Sequence, residues 1–239
     1  WLLQNGLTQT HQNNMGAYGG PDIITSNLIH AFDAGSTRSY PASGGTTAYD
    51  LAGTDNGTLY NGVAFNSING GCWEFDGIND YIDVQGASET QTSTGSFEAW
   101  IYPVTGGQGD QIFCGIGGGS TVGASRTVRI INNDWAFVGY GSSNEDWSGI
   151  ADVVYSAWSH ILFTWNGTAL TYWVNGVKYT ATRTGLVTPN SSVIRLGVSP
   201  WNATDREFVG KIALSRFYNI VLSDSQVLQN YNAQKNRFI

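Results

Sequence analysis

The sequence predicts an all-β protein of antiparallel sheets closed by one short C-terminal helix, and three observations carry that prediction. The first is Trp158 to Tyr179, WSHILFTWNGTALTYWVNGVKY, where three strand-like runs are joined by Asn166-Gly167 and Asn175-Gly176. A type I′ turn needs positive φ at both central residues, which Asn tolerates and Gly adopts freely, so Asn-Gly between apolar runs signals a hairpin. The second is period-2 alternation. Leu170, Tyr172 and Val174 oppose Thr171 and Trp173, as Phe97, Ala99 and Ile101 oppose Glu98 and Trp100, the pattern of strands in a sheet with one covered face. The third is composition: 31 Gly, one Met and 12% charged residues favour short strands and many turns over long helices. With 41% hydrophobic and 13% aromatic residues, 239 residues can bury a sizeable core in one domain.

In chain order, Trp1 to Asn14 is polar and aperiodic and reads as an extended arm. Residues 1–17 are set apart as that arm or linker, and 18–239 form the domain. LIHAFDAG is a short strand ended by Gly35, and Ser36 to Gly62 is rich enough in turn formers to predict long loops. Val63 to Phe65 and Gly71 to Phe75 bracket a turn. In FDGINDY, Asp76-Gly77 supplies turn chemistry before the strand resumes at Tyr81 to Val84. Pro103 ends SFEAWIYP because it cannot donate to a ladder. Gln111 to Ile116 and Thr127 to Ile131 continue the pattern, and Asn132-Asn133-Asp134 turns the chain into Trp135 to Tyr140. GSSNEDWSG is predicted as a loop. After the central meander come a strand at Val193 to Gly197, a loop at Ser199 to Glu207, and Val209 to Tyr218, where Ile212 and Leu214 are expected on one face. Ser223 and Gln226 have capping-box spacing, and Val227, Leu228 and Tyr231 form a short helical stripe; the tail KNRFI carries no assignment.

The formal charge of −7 and the lack of any Lys/Arg run argue against nucleic acid and anionic membrane as partners, since both need clustered positive charge. No apolar run approaches the ~20 residues that cross a bilayer. The N-terminus lacks the order of a signal peptide and gives no evidence of export. Cys72 and Cys114 read as two buried thiols in preference to a disulfide. Neither has a Cys-x-x-Cys partner or a neighbouring His, which leaves a zinc site or thiol nucleophile without support.

FDGINDYIDV, SFEAWIYP, YSAWSHILFTWNGTALTYWVNGV, Ile194-Arg195-Leu196-Gly197 and EFVGKIALSRFYNIVLSDSQVLQNY resemble, in order, a laminin-G-like domain, the concanavalin A-like jelly roll of lectins, adhesins and some glucanases. The upstream run from AYGGPD to NSINGG is similar to the version carried by virion proteins of tailed phages. The similarity runs from Tyr18 to Tyr231. It implies a two-sheet sandwich with Greek-key connections and binding loops along one edge. It also implies a location on the virion exterior, with other virion or capsid proteins as partners. Because this fold hosts lectins, hydrolases and structural modules, function is argued from sites.

Retaining glycosidases need two carboxyl groups about 5 Å apart. The glucanases of this fold carry them as Glu-x-Asp-x-Glu or with one more spacer. Here Glu74-Phe75-Asp76 is the nearest match, and Ile78 and Asn79 stand where the second Glu belongs. His11, His30 and His160 lie in unrelated contexts without a Gly-x-Ser-x-Gly elbow, and His160 reads as a structural residue at a sheet surface. No catalytic residue is assigned. The resemblance implies a calcium position, with Asp76, Asn79 and Asp80 as donors unless they cap their own turn. KIALSRFY lacks the acidic residues many members carry there, so no cofactor or metal is assigned.

Glycan binding needs apolar ring faces beside hydrogen-bonding groups. Asn144, Asp146 and Trp147 supply that mixture in one loop, and Trp201, Asn202, Asp205 and Arg206 in another. The alternative is that both Trp side chains fold back onto the sandwich edge. Asn56, Asn166, Asn190 and Asn202 begin Asn-x-Ser/Thr triplets and read as turns. The leading expectation is a non-catalytic interaction module, an exterior virion component such as a capsid decoration or fibre protein. It would make protein contacts, form a symmetric homo-oligomer and attach to host-surface glycan. A lectin acting through Trp147 and Trp201 is the alternative, and a glycoside hydrolase the third reading.

Overall fold

The computed structural model describes residues 21–41, 43–118, 125–140, 144–184 and 188–239. The expected arm at Trp1 to Asn14, with all of 1–17, lies outside them. The strands are β1 (Leu28–Asp33), β2 (Thr47–Ala48), β3 (Gly57–Tyr60), β4 (Ala64–Asn66), β5 (Cys72–Asp76), β6 (Tyr81–Gln85), β7 (Thr94–Pro103) and β8 (Asp110–Ile116). They continue as β9 (Ser125–Ile131), β10 (Asp134–Tyr140), β11 (Asn144–Trp147), β12 (Ser159–Asn166), β13 (Ala169–Val174), β14 (Val177–Thr182), β15 (Val193–Leu196) and β16 (Val209–Tyr218), followed by helix α1 (Asp224–Phe238). The first sheet runs β14-β13-β12-β7-β16-β5-β4, with β1 also paired to β16; the second runs β11-β10-β9-β8-β15-β6-β3-β2. Every pairing is antiparallel, and the result is the predicted all-β sandwich with one C-terminal helix. No helix among the described residues is long and apolar enough to cross a membrane.

The core between the sheets is aromatic. Trp73, Phe97, Phe163, Trp165 and Tyr172 of the first sheet meet Phe113, Trp135 and Phe137 of the second, all buried. Phe137 stacks on Phe163 with centroids 4.3 Å apart, and Trp135 meets Phe113 edge-on at 5.9 Å. Such pairs add about 0.5–1.5 kcal/mol each beyond the area they bury. Cys72 and Cys114 are free and buried, as expected; burial pushes the Cys72 thiol up to about 12.

The meander forms as predicted, but its turns differ. Asn175 (φ 50°) and Gly176 (φ 82°) are both left-handed, the I′ signature. In the other hairpin Asn166 pairs with Ala169, so the central residues are Gly167 and Thr168, and only Gly167 (φ 56°) is left-handed, as in a II′ turn. The residue able to take positive φ without a Cβ penalty fixes the loop, and Asn166 stays in the ladder.

Three further expectations are corrected. Ile212 and Leu214 do not share a face: Ile212 pairs with Ile101 and Leu214 with Trp100, so Ala213 is an extra residue in a β-bulge. Ile212 therefore enters the core while Leu214 points to the outer side. Asn144 to Trp147, read as part of a loop, is edge strand β11. Ser36 to Gly62 contains the short strands β2 and β3.

Helix α1 begins at the predicted capping box, with Ser223 Oγ accepting from Gln226 N and Gln226 Oε1 accepting from Ser223 N at 2.9 Å. It runs past Tyr231 through the unassigned tail, and Leu228 faces solvent instead of joining the stripe. The helix lies on the outer face of the first sheet, so that sheet is covered on both sides. Phe238 stacks on Trp100 at 4.4 Å and Tyr231 stacks on the same Trp100 ring at 5.9 Å, while Val227 packs with Leu162 and Trp173. Arg237 locks the helix end, donating twice to Asp33 at 2.9 Å and to the Asn69 and Gly71 carbonyls. Gly71 is required there: its φ is 128°, and a Cβ would lie 2.7 Å from Gly35 Cα.

Under α1 lies a buried polar network. Glu98 accepts from Arg216 at 3.2 Å, His160 Nε2 at 3.0 Å and Asn230 at 2.7 Å. Asn230 also accepts from Ile24 N at 2.8 Å, tying residues before β1 to the helix. His160 is structural, as read from the sequence, but fully enclosed.

Candidate functional site

With α1 over the first sheet, the second sheet keeps the outer face on which a ligand would find backbone-ordered side chains. Ile82, Val84, Val128, Ile130, Ile194 and Leu196 face the core. Alternation then turns Tyr81, Asp83, Thr127, Arg129 and Arg195 to the other side, where Tyr81 and Arg195 are part-exposed while Asp83, Thr127 and Arg129 are covered. Tyr60 stacks on Tyr81 at 4.7 Å, and the Arg195 guanidinium lies 5.5 Å from the Tyr81 ring while its Nε reaches Asp83 at 3.4 Å.

The centre of this face is the loop after β15. Its Pro200 rests on Gly115 of β8, where any Cβ would collide with the proline ring. Ser199 Oγ donates to the Asn202 carbonyl at 2.6 Å, and Asn202 Oδ1 accepts from Thr204 N at 3.1 Å, so short polar side chains hold the loop. Trp201, half-buried, donates its indole N–H to Asp205 at 3.1 Å, and the Arg206 guanidinium sits 5.8 Å from its ring. Arg206 pairs with Asp205 and, at 2.6 Å, with Asp110, which also accepts from Arg129 at 2.9 Å. A chain of alternating charge therefore runs from β9 through β8 to the loop and fixes the ring. Arg206 itself has φ 60°, an uncommon conformation for a non-glycine residue.

The structure thus brings Trp201, Asn202 and Asp205 together and adds Asp110 and Arg129, which come from other strands and had no local signal. The second predicted group is divided. Asp146 pairs with Val138 on the exposed side of β11, whereas Trp147 turns inward, edge-on to Tyr172 at 6.3 Å and 5.9 Å from Arg183. Arg183 also donates to the Asp146 carbonyl at 3.0 Å, so Trp147 closes the seam between β11 and β14. The Asn144 side chain lies outside the described residues. From β8 to β11 is three strand spacings, about 14 Å.

Asp76, as the turn reading expects, accepts from Ile78 N at 2.8 Å. Asp80 is buried, which raises its carboxyl; with Asn61, Glu74, Asp76 and Lys211 it lines a cavity of about 310 Å³. Glu74 pairs with Lys211 at 2.9 Å and is held below the usual carboxylate range by that contact. Where a second Glu would stand, Ile78 is 69% exposed in the turn. One cluster went unread: His30, Asp55 and Glu89, drawn from β1, the β2–β3 connection and the turn after β6, converge near Asp50.

The family model described as the concanavalin A-like lectin/glucanases superfamily matches residues 76–228, well over half of the chain. The chain belongs to this superfamily. Among curated proteins none matches it significantly. Among solved structures, the receptor binding domain of botulinum neurotoxin C/D mosaic serotype superposes with a TM-score of 0.70 at 14% identity, over 88% of this chain and 52% of that one. Trypanosoma rangeli sialidase in complex with sialic acid gives 0.69 at 14%, over 92% and 35%. The binding domain of Paraclostridial Mosquitocidal Protein 1 gives 0.69 at 16%, over 87% and 52%. The chain thus spans about half or less of the length of each, and at these identities the likeness is one of fold.

Proposed function

We propose that this chain is a non-catalytic recognition module that holds a glycan against the outer face of its second sheet. The carrying observation is Trp201, half-buried on that face and fixed by Asp205 and Arg206. A sugar ring offers C–H groups on one face and hydroxyls around its rim, and an indole bordered by carboxylate, amide and guanidinium complements both. The superfamily holds lectins as well as glucanases, and the similar structures include two binding domains and a sialidase with sialic acid, which supports glycan recognition by analogy. That the module does no chemistry is supported by the Glu74 strand, where solvent-facing Ile78 stands in place of a second carboxyl.

The proposed setting is the exterior of a virion, as a capsid decoration or fibre component contacting other virion proteins and copies of itself. It rests on the resemblance of the upstream run to tailed-phage proteins. The test is a glycan array probed with the wild type and Trp201→Ala. Signals should vanish in the variant and persist in Trp147→Phe; binding equal in wild type and Trp201→Ala would refute the site. Reducing ends released from β-glucans would refute the non-catalytic reading.

A further inference from the structure

His30 lies on β1, 1% exposed, with its two ring nitrogens treated differently. Nδ1 is 2.7 Å from Asp50 Oδ2. Asp50 also accepts backbone N–H bonds from Ala31 and Ala52, both at 2.9 Å. Asp50 already accepts from two backbone N–H groups, so Nδ1 is the nitrogen that donates to it, and Nε2 is the one left to ligate when the ring is neutral. That Nε2 is buried and without a hydrogen-bond partner among the described residues. It points toward Glu89, whose Oε2 is 3.9 Å away, too far for a hydrogen bond. Ligand atoms of His30, Asp55 and Glu89 all lie within 4.8 Å of one another.

We propose that His30 Nε2, Asp55 and Glu89 bind a divalent transition cation of the zinc class, with Asp50 as the positioning carboxylate behind the imidazole. A carboxylate holding the far nitrogen of a ligating histidine fixes its tautomer and raises its basicity, the usual second layer of such centres. Tetrahedral bonds of about 2.0–2.1 Å place ligand atoms roughly 3.4 Å apart, so from separations of up to 4.8 Å the groups need to close by at most about 1.4 Å. Glu89 can supply that movement, being 52% exposed in its side chain. One neutral imidazole with two carboxylates suits zinc, with water at the fourth position, better than calcium, which takes six or more oxygens. The ion would clip β1 of the first sheet to the β2–β3 connection and the turn leading into β7, joining the two layers at one end of the sandwich.

The test uses the whole chain freed of metal with a chelator. Isothermal titration with zinc chloride should give one ion per chain, and zinc should raise the thermal midpoint while calcium leaves it unchanged. Glu89→Ala, at an exposed position, and Asp55→Asn should each weaken zinc binding about tenfold or more while keeping the metal-free midpoint of the wild type. Absence of stoichiometric binding, a response to calcium in place of zinc, or zinc affinity unchanged in both variants would overturn the proposal.

Discussion

Replacing Glu98 with Gln tests the attachment of α1, on which the availability of only one outer face depends. Glu98 is fully buried and meets Arg216, itself 5% exposed, together with His160 and Asn230. Burial alone would raise the carboxyl; the Arg216 charge and the His160 hydrogen bond hold it below its ordinary value. Gln keeps the shape but leaves Arg216 buried without a counter-charge, which costs roughly 3–5 kcal/mol. For a chain of this size the thermal midpoint should fall by roughly 6–20 °C. The assay is urea unfolding followed by tryptophan fluorescence, with Glu98→Gln/Arg216→Met as the compensating pair. The double variant should recover most of the loss, because removing both charges ends the desolvation penalty. Since the folded-state value is depressed, this stabilisation is complete above the unfolded carboxyl value near ~4.3 and is lost as pH falls through the folded value. The acid limb of the stability curve should flatten in Glu98→Gln. A loss under about 1 kcal/mol, or a double variant as unstable as the two single losses added, would refute the reasoning.

Two further expectations concern stability. Asn175→Ala should cost about 1–3 kcal/mol in urea unfolding, because it puts a Cβ residue without a local hydrogen bond at φ 50° and removes the 2.8 Å acceptor for His160 N. Asn166→Ala, exposed and in the ladder, should change stability by less than about 0.5 kcal/mol; equal costs would contradict the assigned turns. Arg126 faces the core, 5.2 Å from the Trp165 ring, with Nε and Nη1 lacking a hydrogen-bond partner among the described residues. Burial lowers it to about 10, a penalty of roughly 3 kcal/mol that the ring returns in part, about 1–2 kcal/mol. Because the unfolded state holds the proton more tightly, that penalty acts throughout neutral pH. Arg126→Met should therefore raise the unfolding midpoint, and a fall of 1 kcal/mol or more would show that the guanidinium stabilises the fold.

Features governed by neighbours in sequence were legible, and features governed by distant partners were not. The Asn175-Gly176 turn, the limits of β16 and the Ser223 cap each depend on a few adjacent residues, and each forms where read. The bulge at Ala213 carries no sign in an Ile-Ala-Leu run, since a small residue fits either face. β11 is polar because edge strands commonly are, which makes it look like a loop. Arg237 fixes the end of the tail through Asp33, 204 positions earlier, and through the distant Asn69 and Gly71 carbonyls. The candidate site divides in the same way: Trp201, Asn202 and Asp205 lie within one loop, whereas Asp110 and Arg129 reach it only through the pairing of β8 with β9.

The division of Asp146 from Trp147 shows why residue mixture alone is a weak guide to a binding surface. Adjacent residues of a strand project to opposite sides, so a Trp beside an Asp on an edge strand cannot present both to one ligand. A loop lying flat on a sheet escapes that rule, since its side chains are oriented by hydrogen bonds of its own. In the Trp201 loop those bonds come from Ser199, Asn202 and Asp205. Most other tryptophans of the described residues, Trp73, Trp100, Trp135, Trp158, Trp165 and Trp173, are buried. Trp201 is held in a different way, by a ladder in which, among the described residues, two Arg alternate with two Asp. A rigid aromatic surface of this kind is suited to uncharged polyols. The long-range repulsion that net charge imposes on anions falls on such ligands not at all.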